Sequence, residues 1–519
     1  MKKILTFFLS LTCAASLLAQ TADDAIGLTQ TYREGTARTM AMGGAFTALG
    51  GDLGAIGINP SSSGVLNASQ FTFTPSLVTS RSTADYLGNS QSARSTGLNV
   101  SNFGVALNFD TGRYNGLVGY SFSFVFNKTA NFRSSMQAAG TTASSSMLSA
   151  IAAGLDGYDW HSIDMETVSD PFSSSTAPWP GILAWNNYVL APLSILGGQY
   201  ANVNDAYVAS TENYDAASDQ LQIGGPLNQR FNRKTYGGNQ EFAFNFGANL
   251  SDFLYLGANL NLYTLRQTTE EYYEEKAQNP AQFDDGFVSM DNSYWLQTRG
   301  SGINLKLGVI VTPIAGLRLG ATFTTPTWYD LTDEWDYTMN TAFNNGNSYT
   351  LYSPTGQWDY TLTTPLSWSL GAAYTFWDRG LISVDYESTN YARTRLGSAT
   401  RRSAYDDYSA ENELIRSSFQ RAGILRLGAE VRVTDGLSLR GGFQDYAPAA
   451  KGGTHRQAYS AGVGFNISPM FSVDLAWTRL GKQSDSFQLY DDYSSAVTVP
   501  TGVNTHSLDK AVCTLTLRF

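Results

Sequence analysis

The chain has 519 residues and a formal net charge of -11, with 15% charged and 13% aromatic residues. Ordinary soluble domains carry about 25% charged residues, so this composition is poor in charge and rich in aromatic rings. The acidic balance argues against nucleic-acid binding, because phosphate backbones are bound through clustered lysine and arginine.

Residues 1–19 predict a secretory signal peptide. Lys2 and Lys3 precede an apolar run that ends in small residues around Ala19. Removal of this segment leaves Cys513 as the one cysteine, so no intrachain disulfide can form. Beyond residue 20 there is no run of eighteen apolar residues, which excludes a membrane-spanning helix.

Apolar and small or polar residues alternate in many short segments, for example in Phe103–Phe109 and Leu254–Leu262. A period of two indicates β-strands with one apolar face. The pattern predicts about fourteen strands, near residues 71–77, 98–109, 120–126, 242–246, 254–262, 303–311, 317–323, 366–376, 381–391, 425–433, 437–443, 459–467, 471–477 and 511–519.

The connections between these strands alternate in length. The short ones are 110–116, 250–253, 312–316, 376–380, 433–436 and 467–470, and the long ones are 81–96, 128–238, 268–292, 328–356, 395–420, 446–455 and 482–508. A soluble β-sandwich has no reason to sort its connections in this way, whereas a membrane barrel has short periplasmic turns and longer external loops. We therefore predict an all-β fold, a transmembrane antiparallel β-barrel of about 14 strands over 70–519, in the bacterial outer membrane, with a long external insert at 128–238.

The last strand ends in Phe519, in phase with Leu515 and Leu517. A terminal aromatic residue resembles the signal that the barrel-assembly machinery reads in outer-membrane barrels. The alternative is an ordinary final strand that ends in phenylalanine.

Residues 20–69 lie between the signal peptide and the first strand. Eight strands already make a barrel whose interior side chains can fill, and sixteen leave a water channel. A barrel of fourteen strands needs a further segment to close it. The block Gly35–Val65 is rich in small residues that allow close backbone approach, so we predict that 20–69 forms an N-terminal plug, or hatch, in the lumen.

The block GTARTMAMGGAFTALGGDLGAIGINPSSSGV (35–65), followed by QFTFTPSL (70–77), resembles the hatch of the FadL/TodX/OmpP1 family of long-chain fatty acid and hydrocarbon transporters, in its Bacteroidetes form. The segments 320–335, 364–376 and 380–388 also resemble that subgroup. The Asn-Pro-Ala motif of the family hatch appears here as Asn59-Pro60-Ser61, which the resemblance implies is the hatch gate. The alternative is a tight turn, which is compatible with a gate.

The resemblance implies passive uptake of hydrophobic or amphipathic small molecules, such as long-chain fatty acids, through a hatch-gated lumen with release through the wall. It also implies a monomer surrounded by outer-membrane lipids and lipopolysaccharide. A different hypothesis is a barrel that holds protein cargo for a secretion system. An outer-membrane hydrolase lacks support, because the sequence shows no catalytic constellation.

The external insert begins with a predicted short helix in 134–155 and supplies an aromatic group. The aromatic residues Trp160, Trp179, Trp185 and Tyr188 are candidates for a hydrophobic capture groove. The alternative, of at least equal weight, is that they form the core of the insert itself.

Three histidines are present, and His161 lies near Asp159 and Asp164. The spacing matches no known metal or catalytic motif. We therefore expect no enzyme activity, no metal and no cofactor.

Overall fold

The structure is a computed structural model that describes residues 22–377, 379–399, 407–494 and 497–519. The predicted signal peptide, 1–19, lies outside the described residues. No described helix is both long and apolar enough to span a membrane.

Strands dominate the described residues. In chain order they are β1 Gln70–Tyr86, β2 Asn89–Asp110, β3 Leu117–Asn131, β4 Ser134–Thr142, β5 Leu190–Pro192, β6 Tyr207–Ala209, β7 Glu212–Asp215, β8 Gln220–Ile223, β9 Leu227–Leu250, β10 Leu254–Ala277, β11 Phe287–Ile314, β12 Leu317–Thr324, β13 Trp328–Phe343, β14 Ser348–Tyr352, β15 Gly356–Thr363, β16 Ser367–Phe376, β17 Gly380–Asn390, β18 Arg395–Ser398, β19 Arg421–Thr434, β20 Leu437–Tyr446, β21 Arg456–Ser468, β22 Phe471–Gln488 and β23 Thr501–Arg518.

Short helices lie in the N-terminal segment and on the external side. They are α1 Ala22–Thr29, α2 Ala37–Ala41, α3 Met147–Gly154, α4 Pro171–Ser174, α5 Trp179–Asn186 and α6 Ser409–Ser418, with 3-10 turns at Gly54–Gly57, Pro60–Val65, Trp160–Ser162, Leu193–Leu196, Gly198–Tyr200, Pro280–Gln282 and Tyr391–Arg393.

The sheet closes into an antiparallel barrel, because β1 pairs with β2 on one side and with β23 on the other. The wall has fourteen strands, confirming the prediction. Four of them are broken along their length, as β3/β4, β12/β13, β15/β16 and β17/β18, while β5 to β8 lie in the external insert and β14 extends a hairpin.

Prolines account for two of these breaks. Pro326 separates β12 from β13, and Pro365 separates β15 from β16 on the neighbouring wall strand. Proline cannot donate to the hydrogen-bond ladder. Threonine hydroxyls bridge the gap instead, since Thr327 N donates to Thr364 Oγ1 at 2.8 Å.

The outer face of the wall is apolar and the inner face polar. On β10, Leu256, Leu260 and Leu262 are 40–42% exposed and point outward, while Asn259 and Asn261 between them are buried inward. An outward apolar band around a polar interior is the pattern of a membrane barrel. The chain is therefore a transmembrane barrel of the outer-membrane type.

Several predicted external loops are largely strands. The predicted loop 328–356 contains β13 and β14, and 482–508 contains the end of β22 and the start of β23. Over 81–96 the strands β1 and β2 continue to a turn at Leu87 and Gly88, and within 268–292 β10 runs to Ala277 before β11 begins at Phe287. These prolongations pair fully but have polar outward residues such as Arg266 and Glu270. Strand periodicity fails there because the outward face meets water rather than lipid.

The predicted helix at 134–155 is only partly correct. Ser134–Thr142 is the strand β4, paired with β9, and the helix α3 spans Met147–Gly154. Ser146 begins it, because its side chain accepts a hydrogen bond from Leu148 N. The part of the 128–238 insert that leaves the wall is therefore confined to 143–226.

The depth of an outward position within the apolar band predicts how much a charged side chain there destabilises the barrel. Leu260→Arg, in the middle of the band, should lower the free energy of unfolding by about 2–4 kcal/mol, whereas Thr264→Arg, at its external edge, should cost about 0–1 kcal/mol. Denaturant titration of barrel folding in liposomes measures both. An equal loss in the two variants would contradict the assigned depth.

Candidate functional site in the barrel lumen

The N-terminal segment fills the periplasmic half of the lumen. Nearly all residues from Gly35 to Gly64 are buried, and the chain leaves for β1 at the end where Phe519 N donates to Ser69 O at 2.9 Å. Two Gly-Gly pairs, at 43–44 and 50–51, turn the chain with φ angles of 63° to 72°. Such angles favour glycine, so the hatch is a compact, tightly turned plug.

The Asn59-Pro60-Ser61 motif forms a buried turn at the centre of the hatch. Asn59 Oδ1 accepts hydrogen bonds from Ser61 N at 3.0 Å and from Ser61 Oγ at 2.7 Å, and Asn59 Nδ2 donates to Thr47 O at 2.6 Å. Pro60 occupies the first position of the 3-10 turn that follows. The serine, which departs from the family motif, thus adds a hydrogen bond that alanine lacks.

A ring of wall glycines receives the hatch. We call it the glycine girdle: one inward glycine on each of eight strands, namely Gly247, Gly257, Gly308, Gly320, Gly371, Gly428, Gly442 and Gly462. A Cβ at any of these positions would lie within 3.0 Å of a hatch atom, for example 2.0 Å from Thr47 O at Gly320. The absence of side chains lets hatch and wall backbones touch directly.

Three ion pairs join the hatch to the wall. Arg38 binds Glu430 through two contacts of 2.9 and 3.0 Å, and Glu34 binds Lys510 at 2.6 Å. Arg33 lies 3.3 Å from Glu241, a carboxylate with no exposed surface. Removing one member of a buried pair leaves an uncompensated charge and costs about 3–5 kcal/mol. These pairs therefore fix the position of the hatch.

Glu241 is shared by a larger network. It accepts a hydrogen bond from Tyr263 OH at 2.5 Å and lies 3.9 Å from Lys306 Nζ. Lys306 also donates to the hatch carbonyl of Gly57. A single buried wall lysine thus contacts both the hatch backbone and the carboxylate that holds Arg33.

Asp52 is a half-buried acid within the hatch. Its Oδ1 accepts from Thr36 Oγ1 at 2.7 Å and from Gly54 N at 2.8 Å. Burial raises its pKa above the ordinary value, against the opposing effect of Arg38 and these hydrogen bonds. A raised pKa of an acid contributes stability at low pH that is lost as pH rises through it. The contribution of Asp52 to hatch folding therefore weakens above that pKa.

A cavity lies directly on the external side of the hatch. On the strands that have a girdle glycine, the residues that line the cavity lie two to four positions beyond that glycine. Hatch residues form the floor of the cavity. The lining combines apolar side chains, such as Met40 and Leu480, with charged ones, including Lys306, Glu387 and Arg426. The cavity measures about 70 Å³, room for a few water molecules.

Arg426, one of the lining residues of this cavity, has an unpaired donor. Its side chain is 7% exposed, and Nη2 donates to Glu387 at 2.8 Å. Nη1 has no hydrogen-bond partner among the described residues. An unpaired buried donor is costly, so the arrangement favours a bound acceptor at this point.

The candidate capture residues lie in the external insert. Trp160 stacks on Trp185 with ring centroids 5.3 Å apart, and Trp179 packs on Phe172 at 5.4 Å; all three tryptophans are half-buried against one apolar cluster. Tyr188 alone is exposed, at 58%. The structure thus places the tryptophans in the core of the insert and leaves Tyr188 as the accessible candidate.

His161, which lies near Asp159 and Asp164 in the sequence, is on the external insert and apart from the lumen. His161 Nδ1 is 2.6 Å from Asp159 Oδ1 on the exposed insert, and its ring stacks on Trp160. Among the described residues no group of three metal-ligating side chains is present. This contact is a local hydrogen bond on the exposed part of the insert.

Sequence reasoning missed the charged residues of the lumen. Glu241, Lys306, Arg426 and Glu430 each occupy an inward position on a wall strand, with uncharged residues directly before and after. A lone charge on the polar face of a membrane strand is a detectable signal. The signal does not identify which charges meet across the lumen.

No protein-family model and no curated protein matches the chain. Among solved structures, a Pseudomonas aeruginosa FadL homologue has a TM-score of 0.53 at 12% identity, covering 95% of this chain and 100% of that one. The P. putida toluene transporter TodX has a TM-score of 0.51 at 14% identity, covering 94% and 99%. The chain has the FadL-type fold.

The close packing at the glycine girdle predicts that a glycine-to-alanine substitution disturbs the hatch only at girdle positions. Gly320→Ala should displace the hatch in this FadL-type barrel, because the new Cβ would meet Thr47 O at 2.0 Å. Limited proteolysis should cut 35–65 several-fold faster than in the parent protein. Gly441→Ala is the matched control, since its Cβ faces open space. Equal cleavage of the two variants would contradict close packing at the girdle.

Proposed function

We propose that the chain is an outer-membrane uptake channel for hydrophobic or amphipathic small molecules, with long-chain fatty acids as the favoured class. The observation that carries the proposal is the cavity above the hatch, whose lining combines apolar side chains such as Met40 and Leu480 with the cationic Lys306 and Arg426. Binding sites are mostly apolar with a few placed polar groups. Such a lining suits a chain-like molecule with one anionic head group.

Charged residues beside the cavity connect the proposed ligand site to the hatch. Lys306 holds the hatch carbonyl of Gly57 and faces Glu241, which in turn holds Arg33. A ligand carboxylate bound to Lys306 competes with both contacts. Because a ligand shifts a conformational equilibrium by its differential affinity for the two states, binding in the cavity favours a loosened hatch.

The size of the hatch interface limits how the gate moves. Three buried ion pairs, each costing about 3–5 kcal/mol to break by loss of a partner, together hold it against the wall. Loss of the whole hatch from the lumen would break all three. We therefore propose a local rearrangement around Asn59, Pro60 and Ser61 rather than ejection, followed by diffusion of the ligand down its gradient.

The ligand class can be tested through Lys306. In a deletion strain complemented with Lys306→Met, uptake of a labelled long-chain fatty acid should fall about tenfold, the loss of one charge-assisted bond. Lys128→Met is the matched control, because Lys128 binds Asn99 in the lumen and does not line the cavity. Mass spectrometry of the purified parent protein should show bound fatty acid. Normal uptake without any bound lipid, together with co-purified protein cargo, would support the secretion-partner hypothesis instead.

Hatch movement can be tested by tethering. In a Cys513→Ser background, Ala45→Cys with Gly428→Cys places two Cβ atoms 3.3 Å apart, near the roughly 3.5–4.5 Å of a disulfide. The oxidised protein should lose most fatty acid uptake, and reduction should restore it. Because a Cβ at Gly428 would also lie 2.6 Å from Met42 O, the reference for uptake is the reduced double variant and not the parent protein. Unchanged uptake after complete oxidation would argue against gating at this part of the hatch.

A further inference from the structure

The outward faces of four adjacent strands change from apolar to charged at the same level. Leu77, Leu98, Ala511 and Trp477 form one register row across β1, β2, β23 and β22. They close the external edge of the apolar band on this side of the barrel, because the outward positions beyond them are polar. The level corresponds to the head groups of the outer leaflet.

Three arginines and one aspartate follow directly above that row. Arg479 and Asp509 face each other on the first row beyond it, and Arg81 and Arg94 face each other on the second. Arg81 Nη1 lies 3.0 Å from Asp509 Oδ2, and Arg479 Nε lies 3.9 Å from Asp509 Oδ1. We call these four residues the arginine cluster.

The cluster has two more positive charges than its own acid neutralises. Arg94 is exposed, and the described residues offer it no hydrogen bond or ion pair. Like charges directly opposite on paired strands destabilise a sheet, yet Arg81 and Arg94 are in register. In a chain of net charge -11, this local excess of cations calls for an anion that the chain itself does not supply.

We propose that the arginine cluster binds the phosphate group of an outer-leaflet lipid. Guanidinium groups bind phosphate oxygens in pairs, and the apolar row below, including Leu98 at 86% exposure, contacts the acyl chains of the same molecule. The combination of a phosphate-binding head and an apolar base at head-group depth fits a phospholipid or lipid A rather than free phosphate. This site rests on the proposed outer-membrane location but is independent of the lumen.

Native mass spectrometry of the full-length barrel in detergent, with diphosphoryl lipid A as the probe, tests the site. The variant R81Q/R94Q/R479Q should retain about tenfold less lipid A than the parent, the loss expected for a few charge-assisted bonds. The control R113Q/R379Q/R432Q removes the same charge from exposed positions at the periplasmic end and should retain as much as the parent. Equal retention by the cluster variant and the parent would overturn the proposal.

Two further measurements separate the sources of binding. Dephosphorylated lipid A should bind the parent about as weakly as diphosphoryl lipid A binds the cluster variant; equally strong binding would show that acyl chains alone carry the interaction and would overturn the site. Millimolar inorganic phosphate should leave lipid A bound, and complete displacement would overturn the assignment to a lipid.

The single variant Arg94→Gln guards against misfolding, because Arg94 has no protein partner among the described residues to lose. It should retain several-fold less lipid A while keeping the heat-resistant electrophoretic band of a folded barrel. Fatty acid uptake by both cluster variants should equal that of the parent. Failure of the lipid site would therefore leave the uptake proposal standing, and the reverse also holds.

Discussion

The constraint behind the rest of the structure is that every backbone N–H and C=O at bilayer depth needs a partner within the protein. An open sheet fails this requirement at its two edges. The pairing of β1 with β23 removes both edges and makes the wall a closed cylinder. Closure at fourteen strands creates a lumen wider than inward side chains can fill. The closed wall that satisfies the backbone hydrogen bonds therefore also requires a hatch to fill its lumen.

The hatch meets a second form of the same constraint, since its backbone lies against the wall rather than in water. The glycine girdle lets backbone touch backbone, and wall side chains such as Asn245 and Asn259 satisfy hatch carbonyls, at 2.9 Å for Pro60 O and for Ile56 O. The ion pairs contribute differently. A buried pair adds little net stability relative to an apolar pair but is expensive to mismatch. The glycines therefore set how closely the hatch fits, and the charges set in which orientation.

Much of the wall was predictable from sequence because the alternation of apolar and polar residues within each membrane strand reflects the surroundings of its two faces. The alternation of Leu256, Leu260 and Leu262 with Asn259 and Asn261 reports lipid outside and polar contacts inside. The prolongations of β1, β2, β10 and β11 above the membrane were not predictable in this way, since water replaces lipid on the outer face. The lumenal site needs long-range information. Glu241 and Lys306 are separate in sequence, and a single sequence does not show that Glu241 meets Arg33 or that Lys306 meets the hatch carbonyl of Gly57.

The same buried charges that orient the hatch are the ones through which the proposed gating would act. Glu241 is shared between Arg33 and Lys306, and Lys306 is shared between Glu241 and the Gly57 carbonyl. Arg426 leaves one donor unused beside them. In a medium of low dielectric constant such shared contacts are strong, but each partner can be exchanged for another of the same charge. Under the proposed uptake function, a ligand carboxylate entering the cavity would supply that exchange partner and would make the network that closes the lumen sensitive to its ligand.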